Sequence, residues 1–390
     1  MLDHMSLYRE YSGVRHRVTY FLQTFAALIG LLATAQGQNP SNVDLAKKAA
    51  AGDLKSQLAL GEKYRLGLGV TQDYGESLRW YRLAAKQSSA EAQFTLGEMY
   101  RHAEGVAEDF KEAVRWYSLA AAQGLSEAQF NLGVMYDKGL GVAQDYKEAL
   151  RLYRISAEKQ MPDAQFNLGV MYATGQGVAQ DDREGARWYQ LAAAQGQPDA
   201  AFNLGVLYEN GQGVAQDHRE AVRWYRVAAV KQSAPAEFNL GLSYLNGQGI
   251  PQDFAEAFRW FKSAAEQNLP EAAYNLGVLY ENGQGTGQDL KEAARWYALA
   301  AEQSVRDAAF NLGAMYATGR GVGADSTLAY KWFSLAVAAG DADAVRARDR
   351  LSAKMTREQI VKAQALAVDW KPCLTAEACT ARLQVPALMK

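Results

Sequence analysis

The sequence predicts an all-α solenoid of eight 36-residue helix-turn-helix repeats closed by helical caps, and three observations predict it. First, the pair Leu-Gly returns at Leu60-Gly61, Leu96-Gly97, Leu132-Gly133, Leu168-Gly169, Leu204-Gly205, Leu240-Gly241, Leu276-Gly277 and Leu312-Gly313, each step being 36 residues. A fixed period of that length marks a stacked array. Second, every period holds two apolar runs at helical spacing, parted in all periods but one by a Gly-x-Gly turn. Third, 49% hydrophobic and 22% charged residues are a globular composition, not a disordered one. Forty-one basic against 43 acidic residues give a net charge of −2, which argues against a global electrostatic grip on nucleic acid. Two cysteines cannot make a disulfide-dense scaffold.

Residues 1–35 stand outside the period. Arg9, Arg15, His16 and Arg17 precede an apolar run over residues 18–32, and Ala33-Thr34-Ala35 offers an A-x-A cleavage site. This is the order of a secretory signal peptide. The expectation is a periplasmic or secreted protein, cleaved near Ala35. An inner-membrane anchor and a cytosolic protein are the alternatives, because Asp3 and Glu10 dilute the basic region and Gln23 and Thr24 interrupt the apolar run. Contact with a membrane is expected only through this leader. Residues 36–52 form an N-terminal capping helix. They have the pattern of a second helix without its first, with Ala49-Ala50 at the small-pair position.

The eight units occupy residues 53–340. In the unit at 128–160, Phe130, Leu132, Met135 and Tyr136 recur at helical spacing and place a first helix. Gly139 and Gly141 suit a left-handed helix end and a tight turn, and Val142 tucks under that turn. Asp145 is placed as the N-cap of a second helix, with Glu148 closing a variant capping box. The same Asp-x-x-Glu recurs from Asp73/Glu76 to Asp289/Glu292, and the last unit has Asp325 with Leu328. These acids read as caps and not as catalytic pairs. The second helix carries an aromatic pair and a small pair, as in Trp80-Tyr81 with Ala84-Ala85. Seven of the eight tryptophans hold that repeat position or its equivalent, and Leu152 replaces one. Such a helix pair buries its faces only by stacking on its neighbours.

Residues 341–390 form the C-terminal cap and a Cys-containing tail. Arg348 and Asp349 stand where Leu-Gly would fall, a charged face for the end of the stack. Thr356 with Gln359 is a capping box that opens a helix to about Asp369. Five residues separate Cys373 from Cys379, so a small disulfide loop is feasible in an oxidising compartment. Two free thiols are the alternative. No catalytic residues, metal or cofactor are expected. The four histidines, His4, His16, His102 and His218, lie on separate segments, and no H-E-x-x-H, G-x-S-x-G, S-x-x-K or Walker loop occurs.

The unit A-x-F-N-L-G-x-M-Y-x-x-G-x-G-V-x-x-D-x-x-E-A-x-x-W-Y-x-x-A-A resembles the Sel1-like repeat (SLR), a relative of the tetratricopeptide repeat. The likeness covers about residues 53–340. Ala103 in place of the first loop glycine, and Thr286 in place of Val, depart from it. The resemblance implies a right-handed α-solenoid superhelix and protein–protein interaction, as in envelope adaptors and regulators. It also places the concave face on the first helices. Position five there is Phe94, Phe130, Phe166, Phe202, Phe238, Tyr274 and Phe310, and position nine is mostly valine. Position twelve varies: Arg101, Asp137, Ala173, Glu209, Leu245, Glu281, Ala317. Variation on a fixed frame fits a binding surface, and it equally fits drift on a solvated face. Asn131, Asn167, Asn203, Asn239, Asn275 and Asn311 make an asparagine ladder. Its amides suit either an extended peptide backbone or buried groups within the array. The acids at position two, Glu91, Glu127, Asp163, Asp199, Glu271 and Asp307, suit helix starts or a basic partner segment.

The expectation is a non-catalytic scaffold or regulator in the bacterial envelope that binds a partner protein or peptide. One alternative is a peptidoglycan- or carbohydrate-binding module. The other is the β-lactam hydrolysis or penicillin binding linked to cysteine-rich secreted members of the family. Those members staple each repeat with a Cys pair, which these repeats lack.

Overall fold

The structure, a computed structural model, describes residues 40–373 and 378–379. The expected signal peptide at 1–35 lies outside them. Among the described residues there are nineteen helices and no strand. The fold is an α-solenoid of helix pairs. A capping helix, α1 (Pro40–Ala50), precedes them. The first two pairs are α2 (Leu54–Leu66) with α3 (Tyr74–Lys86) and α4 (Ala90–Arg101) with α5 (Phe110–Ala122), and the third repeat supplies α6 (Ser126–Lys138) and α7 (Tyr146–Glu158). Then come α8 (Pro162–Thr174) with α9 (Asp182–Ala194), α10 (Pro198–Asn210) with α11 (His218–Ala229), and α12 (Ala234–Asn246) with α13 (Phe254–Glu266). The last pairs are α14 (Pro270–Asn282) with α15 (Leu290–Glu302) and α16 (Arg306–Thr318) with α17 (Ser326–Ala338). Two helices close the chain, α18 (Ala342–Ser352) and α19 (Arg357–Val368). Two compact units divide between Gln144 and Asp145, so α6 and α7 fall in different units.

Three kinds of glycine set this geometry, and each meets something different. The Leu-Gly glycine is a notch. A Cβ on Gly205 would lie 2.6 Å from the Tyr225 ring, and one on Gly241 2.7 Å from Phe261. The aromatic of the second helix therefore rests directly on the backbone of the first. The second loop glycine holds one repeat to the one before it. A Cβ on Gly213 would stand 2.2 Å from the Asp182 carbonyl oxygen, in a left-handed backbone at φ 67°. The first loop glycine is different. Gly211 also has positive φ, at 71°, but its Cβ would meet nothing nearer than Gln216 Cβ at 3.1 Å. Only conformational preference asks for glycine there. That is why Ala103 can replace it, at φ 58°.

The second helices start as expected. Asp217 Oδ1 accepts from the backbone N–H groups of Arg219 at 2.8 Å and Glu220 at 3.2 Å, and the other repeat aspartates cap likewise, Asp325 included. The glutamates correct the expectation of a variant capping box. Glu148 does not turn back to its cap but pairs forward with Arg151 at 2.6 Å. Glu76–Arg79, Glu112–Arg115, Glu184–Arg187, Glu220–Arg223, Glu256–Arg259 and Glu292–Arg295 follow the same rule. An arginine lies one turn on and is the longer side chain, so the pair closes there. In five of these repeats that arginine covers the ring of the next residue, a tryptophan, 5.1–5.5 Å from its centroid. The reciprocal box closes at Thr356 and Gln359, where it was expected.

Glutamine clasps tie first to second helices. Gln195 donates to Gln165 at 2.8 Å, and Gln165 donates in turn to the Ala157 carbonyl of the preceding repeat at 3.1 Å. Gln87–Gln57 and Gln123–Gln93 repeat the side-chain bond. In the sixth repeat the acceptor is Glu237, 3% exposed, which takes the Gln267 amide at 2.7 Å. Burial raises its carboxyl above the usual range.

Both caps form. In α1, Ala49 is fully buried, and Gly52 ends the segment at φ 97°. At the other end α19 packs back on α17. The tail then returns to α15: Trp370 Nε1 donates to the buried Glu302 carboxylate at 2.9 Å, and the Cys373 N–H to its carbonyl at 3.0 Å. Cys373 is joined to Cys379, with 5.5 Å between their Cα atoms.

Two expectations follow. Gly205→Ala forces a core ring aside and lowers stability by about 1–3 kcal/mol, whereas Ala103→Gly raises it by about 1 kcal/mol through relief of the left-handed alanine. Chemical denaturation measures both. Glu237→Gln keeps the clasp and removes a buried charge. Because the folded carboxyl titrates above its unfolded value, wild-type stability is full below the unfolded pKa and declines as pH rises through the folded one. The variant therefore gains melting temperature near neutral pH and nothing below about pH 4.

Candidate functional site

The sequence-derived site lies on the first helices. In the second unit each of them leaves one stripe open to solvent. On α10 it runs Asp199, Phe202, Val206, Glu209, spaced three, four and three residues apart, which keeps them on one face. The stripes are Asp163, Phe166, Val170, Ala173 on α8 and Glu271, Tyr274, Val278, Glu281 on α14, with the same register on α12 and α16. Acids open most stripes, half-buried aromatics follow, and the last place varies.

The aromatics are shelved on the second helices. Phe166, Phe202, Phe238 and Tyr274 meet Tyr189, Tyr225, Phe261 and Tyr297 in tilted contacts with centroids 5.7–6.0 Å apart. Phe94 and Phe310 sit likewise on Tyr117 and Phe333, and Phe130 is half-buried on α6. The partner ring is the one seated on the Leu-Gly glycine, so core and face share one side chain.

That ring also reaches the face with its hydroxyl. Tyr297 donates to Glu281 at 2.8 Å, and Tyr225 donates to Glu209. In the first unit, Tyr81 donates to Glu62 at 2.8 Å and Tyr117 to Glu98. Burial pushes the Tyr297 hydroxyl well up, and the bond to Glu281 adds to it. In two repeats whose first helix carries only apolar residues at both carboxylate places, Leu242 with Leu245 and Ala314 with Ala317, the second helix has Phe261 or Phe333, whereas Val170 with Ala173 faces Tyr189. This Tyr/Phe exchange was visible in the sequence as an alternation at one repeat position. Its partner was not, because the two are sixteen or nineteen residues apart on different helices.

The asparagine ladder divides. Asn131, 4% exposed, donates to Glu98 at 2.7 Å. Asn275 donates to the Glu271 carbonyl of its own helix at 2.9 Å. Asn311 lies within bonding reach of the Tyr274 and Tyr297 hydroxyls. Asn203 is 7% exposed and Asn167 and Asn239 are half-buried; these three carry no side-chain hydrogen bond among the described residues. Glu281 faces Arg320 at 3.4 Å across a cavity of about 110 Å³, lined also by Asn311 and Thr318.

The first unit differs. Its Glu98 is the centre of a polar node that sequence reasoning missed, holding Tyr117, Asn131, His102 at 3.6 Å and Arg101 at 3.9 Å. Burial opposes ionisation of Glu98, but the bonds from His102 and Tyr117 outweigh it and hold its carboxyl below the usual range. His218 opens α11 on a separate repeat. Among the described residues no group of three or more His, Cys, Asp or Glu is placed to hold a metal ion, and no helix is long and apolar enough to cross a membrane.

The Sel1 repeat family model matches eight segments: residues 54–89, 90–125, 126–161, 162–197, 198–229, 234–269, 270–305 and 306–341. The chain is similar to the solved structure of a Sel1 repeat protein from Oxalobacter formigenes, at 31% identity and TM-score 0.62, covering 84% of this chain and 99% of that one. It is also similar to c5321, described as a protective antigen present in uropathogenic Escherichia coli strains and displaying an SLR fold. There the identity is 27% and the TM-score 0.54, over 89% of this chain and 97% of that one. No curated protein matches the sequence.

The division of the ladder is measurable. Asn131→Ala strips a bond from a buried carboxylate and lowers stability by about 1.5–3 kcal/mol. Asn239→Ala changes it by less than about 0.5 kcal/mol. Urea midpoints of the two variants, measured side by side, give the contrast.

Proposed function

This chain belongs to the Sel1 repeat family, and from that premise we propose that it is a non-catalytic scaffold or regulator in the bacterial envelope, holding a partner protein or peptide along its first-helix face. Sel1 repeat proteins are generally protein-interaction scaffolds and generally not enzymes. The observation that carries the finer reading is the open stripe of the second unit. Its aromatics have one geometry from repeat to repeat, while the place at Ala173, Glu209, Leu245, Glu281 and Ala317 changes chemistry. A rigid shelf with changeable decoration selects a partner by many small contacts, with a few aromatic anchors supplying most of the affinity. Phe166, Phe202, Phe238 and Tyr274 are those anchors, and Asn167, Asn203 and Asn239 offer amides to a main chain. The leader pattern at 1–35 and the Cys373–Cys379 bond support an oxidising compartment outside the cytosol.

The test is capture from envelope extract under oxidising conditions with the full chain as bait, read by mass spectrometry. One protein is expected to be enriched, displaced by free chain, and lost with the Asn203→Ala/Asn239→Ala double change at unaltered melting temperature. Retention on peptidoglycan alone, or no retained protein, overturns the reading.

A further inference from the structure

Charge is sorted between the two helix layers of the second unit. The five first helices α8, α10, α12, α14 and α16 carry seven acidic residues and one basic, Arg306, which is bonded to Asp307 at 2.8 Å. The five second helices paired with them carry ten basic residues against seven acidic. The first helices of the first unit are balanced, five against five. Sorting of this kind is not required by the fold, since the same helix pairs are built in both units.

Resting on the scaffold reading above, we propose that the segment seated on the first-helix face of repeats four to eight is an extended cationic peptide, with Lys or Arg side chains alternating with apolar ones. The apolar side chains lie on the shelf of Phe166, Phe202, Phe238 and Tyr274. The cations meet Glu209 and Glu281. Acids at the helix starts, such as Asp163 and Asp199, are stabilised by the helix dipole whatever they bind. Glu209 and Glu281 are not: each sits in the last turn of its helix, where the dipole disfavours a carboxylate. What holds them is the hydroxyl of Tyr225 or Tyr297 beneath, joined at Glu281 by Arg320 at 3.4 Å, and this fixes a carboxylate at the edge of the apolar shelf on alternate repeats. Asn203 is the second, independent mark of a ligand. It is more than nine-tenths buried and its amide has no hydrogen-bond partner among the described residues, so a peptide N–H and C=O complete it. Asn167 and Asn239 extend the same row.

The test selects peptides from a random display library on the immobilised full chain, with the best synthesised and measured by fluorescence anisotropy. Cationic–apolar sequences are expected, with affinity that falls as salt is raised. Glu209→Gln/Glu281→Gln keeps an acceptor for both tyrosines, so the fold is retained, and it weakens binding by on the order of tenfold. Glu184→Gln/Glu256→Gln removes the same charge from the second-helix layer and leaves binding as it was. Selection of neutral or acidic peptides, selection of none, or equal loss in the two double variants overturns the inference. Capture of a protein partner whose binding ignores Glu209→Gln/Glu281→Gln leaves the scaffold reading standing and removes only its cationic specificity.

Discussion

Seven of the repeats, from Gly61 with Tyr81 to Gly313 with Phe333, are organised around the seating of one aromatic ring on one glycine. The ring of Tyr225, for instance, occupies the space that a Cβ on Gly205 would need. Without that Cβ, the second helix comes close enough for the small alanines, Ala221 and Ala228, to pack with almost no exposure. The same ring has two further edges. One supports Phe202, at 6.0 Å between centroids, and the hydroxyl reaches Glu209. Core closure, the aromatic shelf and the carboxylate on the face are therefore consequences of a single side chain. Stability and the chemistry of the exposed face are coupled in this fold because they share atoms.

Polar groups are spent in two ways. Inside, the buried Gln165 donates to the Ala157 carbonyl of the preceding repeat and accepts from Gln195 of its own, as a buried amide requires. Outside, Glu–Arg pairs of the second helices, such as Glu220 with Arg223 at 3.2 Å, are largely exposed and contribute little to stability. Their greater effect is to leave the arginine lying over tryptophan, covering an apolar ring with a charged surface. The first helices carry almost no such cations in the second unit, and Glu209 and Glu281 lie at the edge of the open stripe.

The C-terminal end adds a constraint the repeats do not have. Glu302 is buried at the end of α15, with Lys331 at 3.9 Å and the Trp370 indole on its carboxylate. A lone charge at such a depth is strongly unfavourable, and its cation and indole partners offset that. Trp370 is thus the one tryptophan outside the repeat pattern, and it anchors the tail and not the stack.

Much of the fold was legible in the sequence because a repeat states its own register. A 36-residue period, Asp at every second-helix start and Gly-x-Gly at every turn but the second, where Ala103 stands first, fix local conformation through nearest-neighbour chemistry: caps, left-handed φ and helical spacing. The capping box at Thr356 is local and was read correctly. The glutamates at the other caps were misread because they had two partners within reach, and side-chain geometry chose the arginine. The face was legible as a set of positions, Phe166 to Tyr274 and Asn167 to Asn239, but not as a set of roles. Asn131 and Asn203 occupy the same repeat position, yet one is bonded to Glu98 and the other has an open amide. The difference lies in a residue 33 positions away. The sequence by itself determined which helices form and which faces they bury, since those depend on neighbours along the chain. Only the tertiary structure decided why Leu-Gly recurs, which amides are engaged and where the carboxylates point, because each depends on contacts between helices that the chain brings together only when it stacks.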